Sequence, residues 1–193
     1  MAPESTSIPA LGFQPLTPER WPDLETLFGA SGADDGCWCM WWRLTRAEFQ
    51  KRKGEGNKQA MKQIVDSGEV PGILAYSGTQ PIAWCSIGPR EAFPALQRSR
   101  RLRRADNEAV WSVVCFYVAE AFRRKEIMLP LLRAAVEHAR AHDATIVEGY
   151  PVEPARVKTP GSGYMGLMPA FQQLGFVEVL RRSEGQAIMR LWL

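Results

Sequence analysis

Val110-Trp111-Ser112-Val113-Val114-Cys115-Phe116-Tyr117-Val118 leads through Ala119-Glu120-Ala121-Phe122 into Arg123-Arg124-Lys125-Glu126-Ile127-Met128. The first run is rich in β-branched and aromatic side chains and alternates little. It predicts a central strand covered on both faces. Beyond the basic turn, Leu129, Leu132, Val136 and Ala139 share one helical face, with Leu131 and Ala135 beside them, down to about His142. Pro130 fits a helix only within its first turn, which sets the start near Glu126. A second apolar strand, Thr145 to Tyr150, closes the unit. Physically this is an anion site. The first amides of a helix lack intrahelical acceptors and sit at the positive end of its dipole. Arg123, Arg124 and Lys125 stand at that mouth, so a phosphate or pyrophosphate is the natural guest. The chain has neither the G-x4-G-K-[ST] of a P-loop nor the G-x-G-x-x-G of a dinucleotide fold.

Working outward, Phe13 to Leu16 reads as a short first strand. Thr17 and Pro18 open a helix whose stripe is Trp21, Leu24, Leu27 and Phe28, and Gly29 ends it. A polar loop, Ser31 to Asp35, leads into the aromatic block Cys37-Trp38-Cys39-Met40-Trp41-Trp42. A helix over Thr45 to Asp66, with a break near Gly54 and Gly56, follows. Gly72 to Tyr76 and Ile82 to Ile87 form a hairpin with a slightly long turn. Arg90 to Asn107 reads as a polar excursion. After the central unit come a short helix, Gly166 to Leu174, and two strands, Phe176 to Arg181 and Ala187 to Trp192. The expected fold is α/β (α+β): a mixed, mostly antiparallel sheet with helices on both faces.

A chain of 193 residues, 46% hydrophobic and 23% charged, suits one compact soluble domain. The reading takes residues 1–12 as a flexible lead-in and 13–193 as that domain. A net charge of +3 leaves room for an anionic ligand without demanding nucleic acid. No basic leader or long apolar span is present, which points to the cytoplasm and away from a membrane. The four cysteines are then expected as free thiols. Cys37 and Cys39 lack the second pair that a zinc site would need, so no metal is expected.

The stretch Val114 to Lys125 and the helix after it resemble the acetyl-CoA-binding segment of GNAT N-acetyltransferases, where a strand ends and roughly [QR]-x-x-G-x-[GA] enters a helix. Phe171-Gln172-Gln173-Leu174-Gly175-Phe176 resembles that family's C-terminal [YF]-x-x-x-G-F signature. Cys37-Trp38-Cys39-Met40-Trp41-Trp42-Arg43 and Glu148-Gly149-Tyr150-Pro151 are similar to features of one GNAT subgroup. The likeness covers nearly all of the chain after Phe13. It departs from the pattern in having Glu126 at the family's first glycine, Met128 at the small residue, and Phe171 at a tyrosine that in many members protonates the leaving thiolate. The resemblance implies an acyl-CoA-dependent N-acyltransferase moving an acetyl group to an amine by direct attack. Backbone groups of Phe116, Tyr117 and Val118 would hold the pantetheine arm. Arg123, Arg124, Lys125, Glu126, Ile127 and Met128 would hold the pyrophosphate. A GNAT-like acyl-CoA sensor or partner module is the alternative.

Glu148, inside an apolar strand, is the expected general base; a structural ion pair with Arg43 or Arg90 is the competing role. Tyr164, in a Gly-rich loop, is the expected general acid, against a packing role. Trp38, Trp41, Trp42, Asp34 and Asp35 are candidates for the amine acceptor, through ring faces and charge. Core packing competes for the tryptophans, and capping for the aspartates. His138 and His142 read as solvated or helix-end residues. Arg98 to Arg104 would be a clamp for the 3′-phosphate of coenzyme A or a solvated loop; without interleaved aromatics it is no nucleic-acid platform. The acceptor is a small-molecule or peptide amine, and a homodimer stays open.

Overall fold

The computed structural model describes residues 10–159 and 162–193. Most of the lead-in, residues 1–9, and two residues of the Gly-rich loop, Pro160 and Gly161, lie outside them. The strands are β1 (Leu11–Pro15), β2 (Gly72–Ser77), β3 (Gln80–Pro89), β4 (Trp111–Val118), β5 (Ile146–Gly149), β6 (Val177–Ser183) and β7 (Gln186–Trp192). The helices are α1 (Trp21–Phe28), α2 (Arg46–Arg52), α3 (Glu55–Asp66), α4 (Pro94–Arg98), α5 (Met128–Arg140) and α6 (Met168–Gln173). The sheet order is β1-β2-β3-β4-β5-β7-β6. β4 and β5 pair in parallel across the α5 crossover, and the other neighbours are antiparallel. This is the expected mixed, mostly antiparallel sheet with helices on both faces.

Local chemistry explains the boundaries. Thr45 caps α2 with a reciprocal capping box to Glu48. The expected long helix breaks at Gly54, whose φ of 79° suits glycine, and α3 restarts at Glu55. The β2–β3 turn is tighter than expected, because Ser77 already pairs with Gln80. Gly175 holds φ 92° behind α6.

Two cores flank the sheet. On one face α5 and α6 bury Leu131, Leu132, Ala135, Val136 and Phe171 against Val113, Val147 and Met189. On the other, α1 and α3 bury Leu24, Phe28 and Met61 against Leu74 and Trp84. A smaller cluster lies beneath residues 93–102, where Phe93, Leu96 and Leu102 meet Val114, Tyr150 and Ile188. That cluster corrects the reading of 90–107 as a polar excursion: its arginines hold it in place. Arg98 donates to the Leu44 carbonyl and Arg104 to the Glu108 carbonyl, while Arg182 of β6 donates to the carbonyls of Arg101, Arg103 and Arg104.

The His138 and His142 rings pack against each other, tilted by 47° with centroids 4.2 Å apart, and Trp111 lies against both. Burial, then His142, lowers the His138 pKa to about 4, so half-buried His138 is not the solvated residue expected. Between the ordinary imidazole value of 6.5 and about 4, the unfolded chain binds the proton and the folded chain does not. Stability should therefore fall as pH drops through that window. His138→Gln should flatten that slope in melts from pH 7 to pH 4.

Candidate active site

β4 and β5 touch only briefly. Trp111, Ser112 and Val113 pair with Val147, Glu148 and Gly149, and β4 then continues to Val118 without β5. A bulge lies at the same place. Ser86 pairs with Cys115 and Ile87 with Val113, which leaves Val114 as the extra residue. Val114 and Cys115 consequently pack on the same face of the sheet. The half of β4 after the bulge turns its inner edge toward the gap where the strands part.

At the end of β4 the chain enters the basic turn. Arg123 Nε donates back to the Val118 carbonyl at 3.1 Å, and the Lys125 ammonium lies over the Phe122 ring. Arg123, Arg124, Lys125 and Glu126 are exposed, while Ile127 is buried under α5. Helix α5 starts at Met128, two residues later than the sequence suggests, which leaves Pro130 inside its first turn. Among the described residues, no acceptor engages the backbone amides of Arg124, Lys125, Glu126 or Ile127. A cluster of such amides at the start of a 13-residue helix, ringed by three cations, fits a pyrophosphate.

Arg124 and Glu126 hold φ of 63° and 55°, the left-handed region that favours glycine. A glycine at 126 would meet that demand at no steric cost. Glu126→Gly is expected to raise stability by about 1 kcal/mol, or roughly 2–4 °C in melting temperature, while Glu126→Gln leaves it unchanged. Both variants should bind coenzyme A more tightly at low salt, since a carboxylate there opposes an anion. Paired melting curves and titrations would check this.

The segment before α6 crosses the gap. The Phe116 amide donates to the Tyr164 carbonyl, the Leu167 amide to Met128 Sδ at 3.3 Å, and Val152 bridges Leu167. A side chain added at Gly166 would strike the Phe171 and Phe116 rings, so only glycine passes there. The Phe116 amide expected to face a ligand is thus already engaged by the chain's own carbonyl. Tyr164 keeps 37% of its surface exposed; partial desolvation by its neighbours, then Cys115, raises its pKa above the ordinary phenol range. Phe171 itself is fully buried between Phe116 and Phe176.

Glu148 occupies the expected strand, inside a network of buried guanidinium groups. It is 1% exposed. Oε1 accepts from Arg90 at 3.0 Å and from the Tyr150 hydroxyl at 2.7 Å, and Oε2 accepts from Arg190 Nε at 2.8 Å. Arg190 also forks onto Asp106 at 2.6 and 2.8 Å. Ser112 lies 2.8 Å from the Tyr150 hydroxyl, and Arg90 also donates to the Leu102 carbonyl. Both Glu148 oxygens are held by guanidinium groups, so the expectation of a general base gives way to the competing ion pair. Arg90 is one of the partners named for it. Arg190 was missed; its place on β7 directly opposite Glu148 exists only in the folded register.

The acceptor candidates separate. Trp38 is buried in the α1 core, stacked on Trp21 and edge-on to Phe28, so it is a packing residue and not the expected acceptor contact. Asp34 and Asp35 lie exposed on the outer loop, where Asp35 pairs with Lys53. Trp41 is exposed against Phe49. Half-buried Trp42 packs on the cluster that contains Met165, next to Tyr164 in sequence. Among the described residues its indole N–H has no acceptor. Trp42 is the acceptor candidate that packs beside the segment crossing the gap, with Trp41 edge-on to it.

The sequence profile of the acetyltransferase (GNAT) family matches residues 38–155, more than half of the 193-residue chain. The chain belongs to the GNAT family of acetyltransferases. No curated protein matches it. Its fold is similar to that of a GNAT-family acetyltransferase from Listeria monocytogenes, at 11% identity and a TM-score of 0.58, with 95% of each chain covered. It is also similar to yncA from Salmonella typhimurium, solved with acetyl-CoA, at 12% identity and a TM-score of 0.56, covering 95% of this chain and 94% of that one. The PaiA N-acetyltransferase from Thermoplasma acidophilum, in complex with coenzyme A, matches at 10% identity and a TM-score of 0.54, covering 95% and 99%. At these identities the likeness is one of fold. No described helix is long and apolar enough to cross a membrane.

Proposed function

We propose that this chain is an acyl-CoA-dependent N-acyltransferase that moves an acetyl group from acetyl-CoA to a small-molecule or peptide amine by direct attack, in the cytoplasm. The observation that carries this reading is the parting of β4 from β5 directly before a basic turn whose amides have no described acceptor. Family membership and the neighbours solved with acetyl-CoA or coenzyme A support it. A further neighbour of similar fold is the NatC complex bound to a peptide and CoA, which supports keeping peptides among the acceptors.

Acetyl-CoA supplies the activated thioester. The 124–127 amides, with Arg123, Arg124 and Lys125, bind and neutralise the pyrophosphate. Phe116 and Val118 present backbone groups to the gap, and the Tyr164 carbonyl must leave the Phe116 amide for that amide to polarise a thioester carbonyl. Trp41 and Trp42 border the amine's approach. With Glu148 locked by two guanidinium groups, the amine's proton leaves through water. Tyr164, a phenol that is protonated at neutral pH, is the acid that donates to the departing sulfur.

Release of the coenzyme A thiol from acetyl-CoA, followed across a panel of polyamines, aminoglycosides, amino acids and peptides, tests the reading. Turnover with at least one amine supports it; binding without turnover across the panel would favour the sensor alternative. Tyr164→Phe should lower turnover by a factor on the order of 10–10² with little change in coenzyme A affinity. Equal rates in parent and variant would remove the acid role.

A further inference from the structure

Cys39 sits at the end of a backbone turn that few side chains tolerate: Trp38 and Cys39 hold φ of 45° and 59° in succession. The turn drives the Cys39 sulfur inward onto the sheet. There it lies over β3 and β4, among side chains that the strand register places together. Ser86 and Cys115 are direct cross-strand partners, and Trp84 lies on the same face two residues before Ser86. The Trp84 indole N–H donates to Cys39 Sγ at 3.3 Å, and Cys115 packs against the same cluster. The bulge at Val114 is what brings Cys115 to this face. Cys85, on β3, packs on the opposite face in the α5 core. Cys39 and Cys115 are therefore two thiols of one cluster, contributed by two separate parts of the chain. One lies on the aromatic loop, and the other on β4 next to Phe116.

We propose that Cys39 and Cys115 form a peroxide-oxidisable dithiol whose disulfide fastens the aromatic loop to β4 beside the cosubstrate gap. Cys39 is the attacking sulfur. Donation from Cys115, then from Trp84 and Ser86, with Arg43 nearby, brings its pKa down to about 7 against the opposing effect of burial. Cys115 and Cys37 stay protonated: contact with Cys39 and burial hold Cys115 well above the ordinary thiol range, and burial raises Cys37 to about 11. Cys37 and Cys115 are half-buried, which gives a small oxidant an approach that fully buried Cys39 does not offer by itself.

The step balances. The Cys39 thiolate, with one proton, attacks a hydroperoxide; the O–O bond breaks, Cys39 becomes a sulfenic acid and one water leaves when the oxidant is hydrogen peroxide. Cys115 then attacks the Cys39 sulfur, the S–O bond breaks and a second water leaves. Two thiols have lost two protons and two electrons, and the peroxide has taken them. A reducing cytoplasm would keep the pair open at rest. The effect on acyl transfer rests on the function proposed above, whereas the thiol chemistry does not.

The test uses the reduced full chain, treated with hydrogen peroxide, quenched with N-ethylmaleimide, digested and mapped by mass spectrometry. The expected product is a Cys39–Cys115 cross-linked peptide lighter by two hydrogens, forming at a rate whose pH midpoint lies at about 7. In Cys115→Ala, dimedone should trap a sulfenic acid on Cys39 and the cross-link should vanish; Cys37→Ala should leave the cross-link in place. A product joined through Cys37, or a Cys39 that stays unmodified while Cys37 reacts, would overturn the pairing whether or not the protein is an enzyme. With an acceptor amine in hand, oxidised protein should turn over at least tenfold more slowly than reduced protein and recover with dithiothreitol. A cross-linked protein with unchanged turnover would overturn the coupling to the gap.

Discussion

Glu148→Gln should lower the unfolding free energy by about 3 kcal/mol, toward the low end of the roughly 3–5 kcal/mol seen when one partner of a buried ion pair is removed. The low end applies because the two guanidinium groups keep other acceptors. Arg190 retains Asp106, and Arg90 retains the Leu102 carbonyl. What they lose is the one buried anion between them: Glu148, Arg90 and Arg190 are 1%, 4% and 4% exposed. For a chain of this size the loss corresponds to a fall of roughly 6–12 °C in melting temperature. Chemical denaturation of parent and variant at pH 7 measures it directly. The same variant separates the structural role from the catalytic one. Assayed well below its melting point, it should keep its turnover to within about tenfold, whereas loss of a general base costs on the order of 10²–10⁴. An unchanged stability with a large drop in rate would return Glu148 to the mechanism.

The second large effect falls on ligand binding. Arg123→Ala with Lys125→Ala removes two of the three cations at the start of α5 and leaves the amides in place. A hydrogen bond to a charged group contributes about 1.5–3 kcal/mol when well formed, and exposure to solvent reduces that. The double variant should bind coenzyme A on the order of 10²-fold more weakly at low salt, with the gap to the parent narrowing as salt rises. Its stability should stay close to the parent's, since neither cation takes part in a described ion pair. Equal affinity in parent and double variant would place the anion elsewhere.

What could be read in the sequence was whatever depends on neighbours along the chain. The apolar run of β4, the helical stripe of α5 and the glycine behind α6 each announce themselves through local propensity, and the element order follows from them. The basic turn was legible for the same reason. Features set by the fold were not. The partner that neutralises Glu148 from β7 lies 42 residues away and enters reach only once β7 slots between β5 and β6. The bulge at Val114 leaves no mark in a run of apolar residues, yet it decides that Cys115 meets Cys39. The arginine-rich stretch looked solvated because its charges dominate its composition. Its buried residues, Phe93, Leu96 and Leu102, are spaced too irregularly for a periodic signal. The Tyr164 carbonyl on the Phe116 amide is a backbone contact between distant segments, which no side-chain pattern encodes.

The central claim is that an acyl-CoA binds between the parted strands and the basic turn, displacing the segment around Tyr164. Hydrogen exchange of the full chain with and without saturating acetyl-CoA tests it most directly. The account predicts slower exchange at the amides of Phe116 and Val118 and at those of Arg124 to Ile127. It also predicts faster exchange across residues 163–167, where the Leu167 amide would be freed from Met128. Protection confined to other elements, or an exchange map unaltered by acetyl-CoA at millimolar concentration, would contradict it.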